Sequence, residues 1–355
     1  MGNPLTPAML ADPVLLTRGL VDIESVSGQE REIADAVEAV LRDVPHLSVD
    51  RLGNTVVART ALGRPQRVVL AGHLDTVPLA GNFPSTVDSE AIHGCGTSDM
   101  KSGVALALHL AVSVDRPRYD VTYLFYEAEE VDADRNGLYL VGKSRPDWLS
   151  ADFAMLLEPT YGLVEAGCQG TLRAIVTVTG TRAHSARSWL GSNAIHAAAV
   201  PLTRLRGYEA RTVDIDGCTY REGLNAVGIA GGIAGNVVPD ACEIEVNYRF
   251  APDRSERAAA DHVRSVFDGF EVTIADSVPG ALPGLAAVPA QEFLAVVGEP
   301  PAAKLGWTDV SRFAALGVPA LNFGPGDPNL AHTRQERVEI AKIREGAATL
   351  ARWLA

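Results

Sequence analysis

The sequence predicts an α/β protein in which a mostly parallel sheet is interrupted by a smaller α+β insert. Three observations carry this. The first third alternates β-rich apolar runs with helical segments, as a doubly covered sheet requires. The middle switches to strands of alternating polarity, the mark of a half-exposed antiparallel sheet. A Pro/Gly-rich stretch at 279–284 then leads into a tail that returns to helix and strand. The expected division is one discontinuous domain, residues 1–170 with 281–355, and an insert at 171–280.

The elements follow in order. Ser27-Gly28-Gln29-Glu30 reads as a capping box, and behind it Ile33, Val37, Val40 and Leu41 recur at helical spacing. Segments 47–51 and 55–60 read as strands around Gly53-Asn54, a hairpin signal. Segment 67–72 is a compact apolar strand that stops at Gly72. Segment 102–114 is apolar nearly all round, as a buried helix is. Segments 121–126 and 153–157 are further β-rich runs. In the insert, 172–179, 227–233, 242–250 and 271–275 read as strands, 193–205 and 255–267 as helices, and 236–240 as a turn. The last helix is expected from Glu336, with Ile340, Ile343, Ala347, Leu350 and Leu354 as its buried stripe.

The chain has 355 residues, of which 47% are hydrophobic and 21% charged, which excludes a disordered chain, a collagen and a coiled-coil rod. With 31 basic and 44 acidic residues the net charge is −13. An acidic chain with no Lys/Arg run is a poor partner for nucleic acid and for an anionic membrane surface. Part of the negative excess suits bound cations. Cys95, Cys168, Cys218 and Cys242 are scattered, with no Cys-x-x-Cys pair, so neither a zinc ribbon nor a redox dithiol is indicated. Lone thiols in a large core fit a reducing cytoplasm. Residues 1–16 show no basic start followed by an apolar block, so no secretory leader is expected. No uncharged apolar stretch approaches the length of a membrane span.

Five segments carry chemistry. His73 and Asp75 lie two apart at the C-terminal end of the 67–72 strand, where ligands bind in open α/β sheets. They read as a metal-binding imidazole with a carboxylate on its other nitrogen, or as a hydrogen-bonded pair ending a strand. Asp99 lies between glycines just before the buried helix. Alone it reads as a helix cap, which leaves the glycines unexplained. Glu127-Ala128-Glu129-Glu130 follows a strand, and adjacent buried carboxylates repel unless cations or protons offset them. Glu158-Pro159-Thr160 ends another strand, and the turn-rich segment 322–331 delivers His332. Two histidines, several carboxylates and no cysteine suit zinc or a similar divalent ion. Five ligands are too many for one catalytic ion and suit two sharing a carboxylate.

In this order, the Gly-His-x-Asp, Asp-Met-Lys, Glu-Glu, Glu-Pro-Thr and terminal His motifs resemble the zinc-dependent amidohydrolase and exopeptidase family that contains acetylornithine deacetylase and aminoacylase. The match runs through nearly the whole chain. The resemblance implies two Zn2+ per subunit, with Co2+ or Mn2+ also compatible. His73 and Glu158 would hold one ion, Glu130 and His332 the other, and Asp99 would bridge them. Glu129 would be the general base toward the attacking water, Asp75 would orient His73, and the Asp99–Met100 peptide would be cis.

The insert would be a lid and dimerisation domain, making the protein a homodimer. His184 resembles the lid histidine that reaches the active site of the partner subunit and donates a hydrogen bond to the developing oxyanion; without the resemblance it reads as a turn histidine. Asn236 and Arg249 resemble substrate-binding positions. Arg249 suits a carboxylate or a strand-edge salt bridge. Gly324, in 323–325, belongs to a further loop of the substrate site. Segments 307–313 and 323–325 resemble the branch that hydrolyses N-succinyl-LL-2,6-diaminopimelate to LL-diaminopimelate and succinate, in lysine and cell-wall precursor synthesis. Glu158, where aminopeptidase relatives use Asp, also favours a small N-acyl amino acid as substrate. Acetylornithine or another N-acyl amino acid is the alternative. A non-catalytic metal-binding module is a third reading, against which Glu129 counts. Cys95 and Ser102 depart from the commoner Arg and Gly. Cys168-Gln169 replaces an arginine pair, which bears on substrate-carboxylate binding and not on the metal ligands. There is no Gly-x-Ser-x-Gly elbow and no Gly-x-Gly-x-x-Gly nucleotide loop.

Overall fold

The computed structural model describes residues 3–355; Met1 and Gly2, which open the segment read for a leader, lie outside them. The described residues form two compact units, one of residues 3–166, 283–302 and 312–355, the other of 167–282 and 303–311.

In the first unit a sheet runs in the order Ser48–Leu52, Thr55–Arg59, Asp120–Tyr126, Arg67–His73, Phe153–Leu156, Ala320–Asn322, Glu165–Ala166. Arg67–His73 pairs in parallel with both Asp120–Tyr126 and Phe153–Leu156, and the latter in parallel with Ala320–Asn322. These strands are almost wholly buried, as parallel strands covered on both faces must be. The expected hairpin is present: Leu52 pairs with Thr55 across Gly53-Asn54, and Gly53 takes the left-handed φ of 61° that such a turn needs. Helix Ser102–Ser113 is buried over most of its circumference. At Gly103 an added Cβ would stand 2.1 Å from the Leu157 carbonyl oxygen, so only glycine lets this helix approach the strand end that closely.

Two expectations are corrected in this unit, and two helices are added. Helix Arg31–Arg42 forms with Ile33, Val37, Val40 and Leu41 buried, but not behind a capping box. The Ser27 hydroxyl donates to Asp75, and Glu30 turns its carboxylate back to the Gly28 N–H. The last helix is Ile340–Leu354 and does not start at Glu336, because Arg337–Glu339 is extended and pairs with Ala91–His93. Helices Pro7–Ala11 and Pro13–Val21 were not anticipated, although Thr6 and Asp12 cap them with a proline in the first turn of each.

The second unit holds an antiparallel sheet in the order Gly223–Gly231, Ala241–Phe250, Gly170–Thr179, Glu271–Val278. Its alternate residues Leu172, Ala174, Val176, Ile244 and Val246 form a core with Ala259, Val263 and Phe267 of the neighbouring helical segment. The single helix expected at 193–205 is two, Ala194–Ala197 and Ala199–Arg206. The expected turn at 236–240 contains a short strand, Val237–Val238, paired with Ala183–His184. The division between units falls at 166/167 and 282/283 where 170/171 and 280/281 were expected, and 303–311 joins the second unit. Backbone pairing explains this: Cys168 and Ala281 exchange both hydrogen bonds, and the Gln169 N–H donates to Lys304. No helix among the described residues is long and apolar enough to cross a membrane.

Candidate metal centre

Three adjacent parallel strands of the first unit end side by side, and the residues at their carboxyl ends build the site. His73 closes Arg67–His73, the Glu127–Glu130 turn follows Asp120–Tyr126, and Glu158 follows Phe153–Leu156. Asp99 sits in the turn Thr97–Lys101 with non-helical backbone angles and a cis peptide to Met100, as the resemblance implied. It does not cap the following helix, which opens from Lys101 without a side-chain cap. Its carboxylate turns to the histidines. His332 comes from the loop after Ala320–Asn322 and holds a left-handed φ of 62°.

The two oxygens of Asp99 face different ways. Oδ1 lies 3.1 Å from His73 Nε2, and Oδ2 lies 3.4 Å from His332 Nε2. His332 Nε2 is also 2.8 Å from Glu130 Oε1. Potential ligand atoms lie within 4.8 Å of one another in three trios: His73, Asp99 and Glu158; Asp99, Glu130 and His332; His73, Glu129 and Glu130. His73 and Glu158 are buried, whereas the His332 side chain is 50% exposed, so the cluster has a deep side and an open side.

Asp75 does more than face an imidazole. His73 Nδ1 lies 3.1 Å from the Asp75 carbonyl oxygen and 3.4 Å from its carboxylate. That carboxylate also accepts the N–H groups of Glu129 and Glu130 at 3.0 and 3.1 Å, and the Ser27 hydroxyl at 2.6 Å. It therefore fixes the turn that carries both glutamates. Glu30, fully buried, accepts the Ala128 N–H at 3.2 Å and holds the same turn from the other side. Glu336, also buried, accepts the N–H groups of Ser98 and Asp99. Sequence reasoning missed Ser27, Glu30 and Glu336 as parts of the site. The Ser-x-x-Glu spacing is the one local signal for the first two, and it is also the spacing of a helix cap.

The electrostatics follow from burial against these partners. Burial works against a charged His73, but the Asp75 and Asp99 carboxylates outweigh it and raise its pKa well above the usual value. The hydrogen bond with Asp99, then that with Glu130, lifts His332 to about 10. Burial opposes ionisation of Asp75, yet His73, Ser27 and the Glu129 N–H bring it down to about 2. Asp99 is lowered too, by His332 and His73 against burial. Burial pushes Glu336 up to about 7 and the buried Lys101 amine, which donates to the Ile23 carbonyl, down to about 8. The carboxylates around His73 and His332 thus favour the protonated form of both imidazoles, and a cation bound there would take the place of those protons.

Gly324 packs its α-carbon against the carbonyls of Leu157 and Glu158 and donates its N–H to the Thr160 hydroxyl. His184, Asn236 and Arg249 belong to the second unit. There the His184 ring accepts the Ala186 N–H, the Asn236 carbonyl accepts the Ser185 N–H, and exposed Arg249 donates to the Asn247 side chain. Cys168 and Gln169 are buried, and the Gln169 amide donates to the Arg221 carbonyl. This pair is neutral, so it offers no positive charge for a substrate carboxylate.

The chain is 58% identical over 346 residues to a candidate succinyl-diaminopimelate desuccinylase of Mycobacterium tuberculosis, covering 97% of this chain and 98% of the relative. It is 49% identical over 368 residues to the succinyl-diaminopimelate desuccinylase of Corynebacterium glutamicum, covering all of both. Its fold is similar to a Staphylococcus aureus tripeptidase (TM-score 0.80, 23% identity, 96% and 97% of the two chains). It is also similar to a dinuclear metal-binding M20 peptidase from Bacillus subtilis (TM-score 0.70, 17% identity, 98% of each). The model of peptidase family M20/M25/M40 matches residues 69–355, and the chain belongs to that family of metal-dependent hydrolases.

Proposed function

We propose that this chain is a di-zinc amidohydrolase that converts N-succinyl-LL-2,6-diaminopimelate and water to LL-2,6-diaminopimelate and succinate. The observation that carries the reading is the division of the Asp99 carboxylate between two histidine-containing trios. Full-length similarity to two relatives with this activity in their names supports the substrate. The donor set fits the metal: two imidazoles and three carboxylates, without a thiolate, suit zinc and accommodate Co2+ or Mn2+. His73 and Glu158 would hold one ion, Glu130 and His332 the other, and Asp99 would be shared.

When bound, such a pair of ions polarises the scissile carbonyl and makes water more acidic. The chain does the rest. Glu129 accepts a proton from water as its oxygen adds to the amide carbon. It then returns the proton to the nitrogen as the C–N bond breaks, and the acid's own proton passes to the released amine, giving a carboxylate and an ammonium group. Asp75 keeps His73 in one orientation and keeps Glu129 and Glu130 in register through their N–H groups. His184, supplied by the partner subunit, donates a hydrogen bond to the oxyanion. Asn236, Arg249 and the loop at Gly324 bind the substrate, Arg249 through a carboxylate.

The second unit supports a homodimer. Among the described residues Gly223–Gly231 is an edge strand with no neighbouring strand on one side, and Val227 and Ile229 on it are exposed, as are Ile195 and Val200 of the nearby helices. A long apolar edge of this kind calls for a partner strand, and a second copy of the chain supplies it. The reaction belongs to lysine and diaminopimelate synthesis in the cytoplasm.

The test is turnover of purified, zinc-loaded protein on N-succinyl-LL-2,6-diaminopimelate and on acetylornithine, read as amine released. The expected kcat/KM favours the succinyl substrate by about tenfold or more. A preference for acetylornithine reassigns the substrate. No amine release from either substrate overturns the hydrolase reading.

A further inference from the structure

We infer that Glu336 is a positioning residue for the metal centre: its buried carboxylate fixes the turn that presents Asp99 and ties that turn to the segment carrying His332. The inference rests on the metal reading above and adds a residue outside the five ligands. Glu336 is 2% exposed, and a single oxygen, Oε1, accepts both the Ser98 N–H at 2.9 Å and the Asp99 N–H at 3.0 Å. Two N–H groups converging on one carboxyl oxygen set the direction of the peptide between them, and hence the direction in which the Asp99 side chain leaves the backbone.

The anchor itself cannot drift. The Glu336 carbonyl accepts the Gly94 N–H at 3.0 Å, and the next residue, Arg337, opens a strand paired with Ala91–His93. Ser98 is stitched to the same strand, because its hydroxyl donates to the Arg337 carbonyl at 3.0 Å. On the other side the Glu336 N–H donates to the Thr333 carbonyl, one residue after His332. Glu336 therefore grips the turn of one ligand with its side chain and the turn beside another with its backbone. The distance from Asp99 Oδ2 to His332 Nε2 depends on both grips. A buried carboxylate beside the Asp99 carboxylate is a costly way to fill space. Its two hydrogen bonds to this turn give it a purpose that packing does not.

The experiment compares wild type, Glu336→Ala and Glu336→Gln by zinc titration against a competing chelator, and by kcat and KM with zinc present. Glu336→Ala should weaken zinc binding by about tenfold to a hundredfold and lower kcat while KM stays nearly constant. Glu336→Gln keeps a carbonyl oxygen able to accept both N–H groups, and should restore affinity and kcat to within about threefold of wild type. Should Glu336→Ala not fold, Glu336→Asp, one methylene shorter, takes its place with the same expectation. Zinc binding at wild-type strength in the alanine or aspartate variant overturns the inference. So does a folded glutamine variant as weak as those variants. A wild-type chain that takes up no zinc overturns the metal reading itself, and this role with it.

Discussion

Replacing Gly324 with alanine tests how closely the loop before His332 is fitted beneath Glu158. The added Cβ would stand 2.5 Å from the Glu158 carbonyl oxygen and 2.5 Å from that of Leu157, where real contacts of this kind stay above 3.0 Å. Both atoms are backbone, so no side chain can swing aside. The loop cannot easily back away, because the Phe323 N–H donates to Leu156 and the Gly324 N–H to the Thr160 hydroxyl. The strand end that carries Glu158 must then yield by about half an ångström. Overpacking of this kind costs roughly 1–3 kcal/mol, which lowers Tm by roughly 1–4 °C in a chain of this size. A displacement of 1 Å at a ligand costs about a hundredfold in rate, so a shift of half that size should cost about tenfold. The assay is kcat at saturating zinc beside a thermal melt, with Gly306→Ala as control, since a Cβ there meets nothing within 4 Å. Activity and Tm of Gly324→Ala matching the control would refute the fit.

Other substitutions test other parts of the account. Glu129→Ala should remove nearly all turnover while zinc content stays normal, measured by steady-state kinetics and metal analysis; retained activity would take the proton-transfer role from Glu129. Metal uptake should release protons, because His73 and His332 hold them in the metal-free chain and bind ions only as neutral rings. Since both pKa values are raised, the proton competes below them, and affinity should fall as pH falls. Calorimetry in buffers of different ionisation enthalpy should count about two protons released near neutral pH, and a count near zero would contradict the protonation described. Ile229→Asp, on the exposed edge strand, should convert dimer to monomer by light scattering without unfolding the chain; an unchanged mass would place the interface elsewhere.

Much of this architecture was legible in the sequence because its signals are local. The apolar run before His73, the Gly53-Asn54 turn and the alternation in 172–179 each report a periodicity that the fold preserves. The ligand segments were legible because each follows a strand end, where parallel topology gathers side chains from distant parts of the chain. What was not legible is which hydrogen-bond partner wins. Ser27 and Glu30 have the spacing of a helix cap, but Asp75 and the Ala128 N–H are better partners once the strands are side by side. Glu336 looks like the first turn of the last helix, but its carboxylate is taken by the Asp99 turn and its neighbours by the strand Ala91–His93. The domain boundary shifted for the same reason: the pairing of Cys168 with Ala281 is a long-range contact with no local signature.

The most direct test is anomalous diffraction from crystals of the zinc-loaded protein at the zinc edge. The account predicts two peaks about 3.5–4 Å apart. One should lie within coordination distance of His73, Asp99 and Glu158, the other within coordination distance of Asp99, Glu130 and His332. A single peak, or two peaks that do not share Asp99, would contradict it.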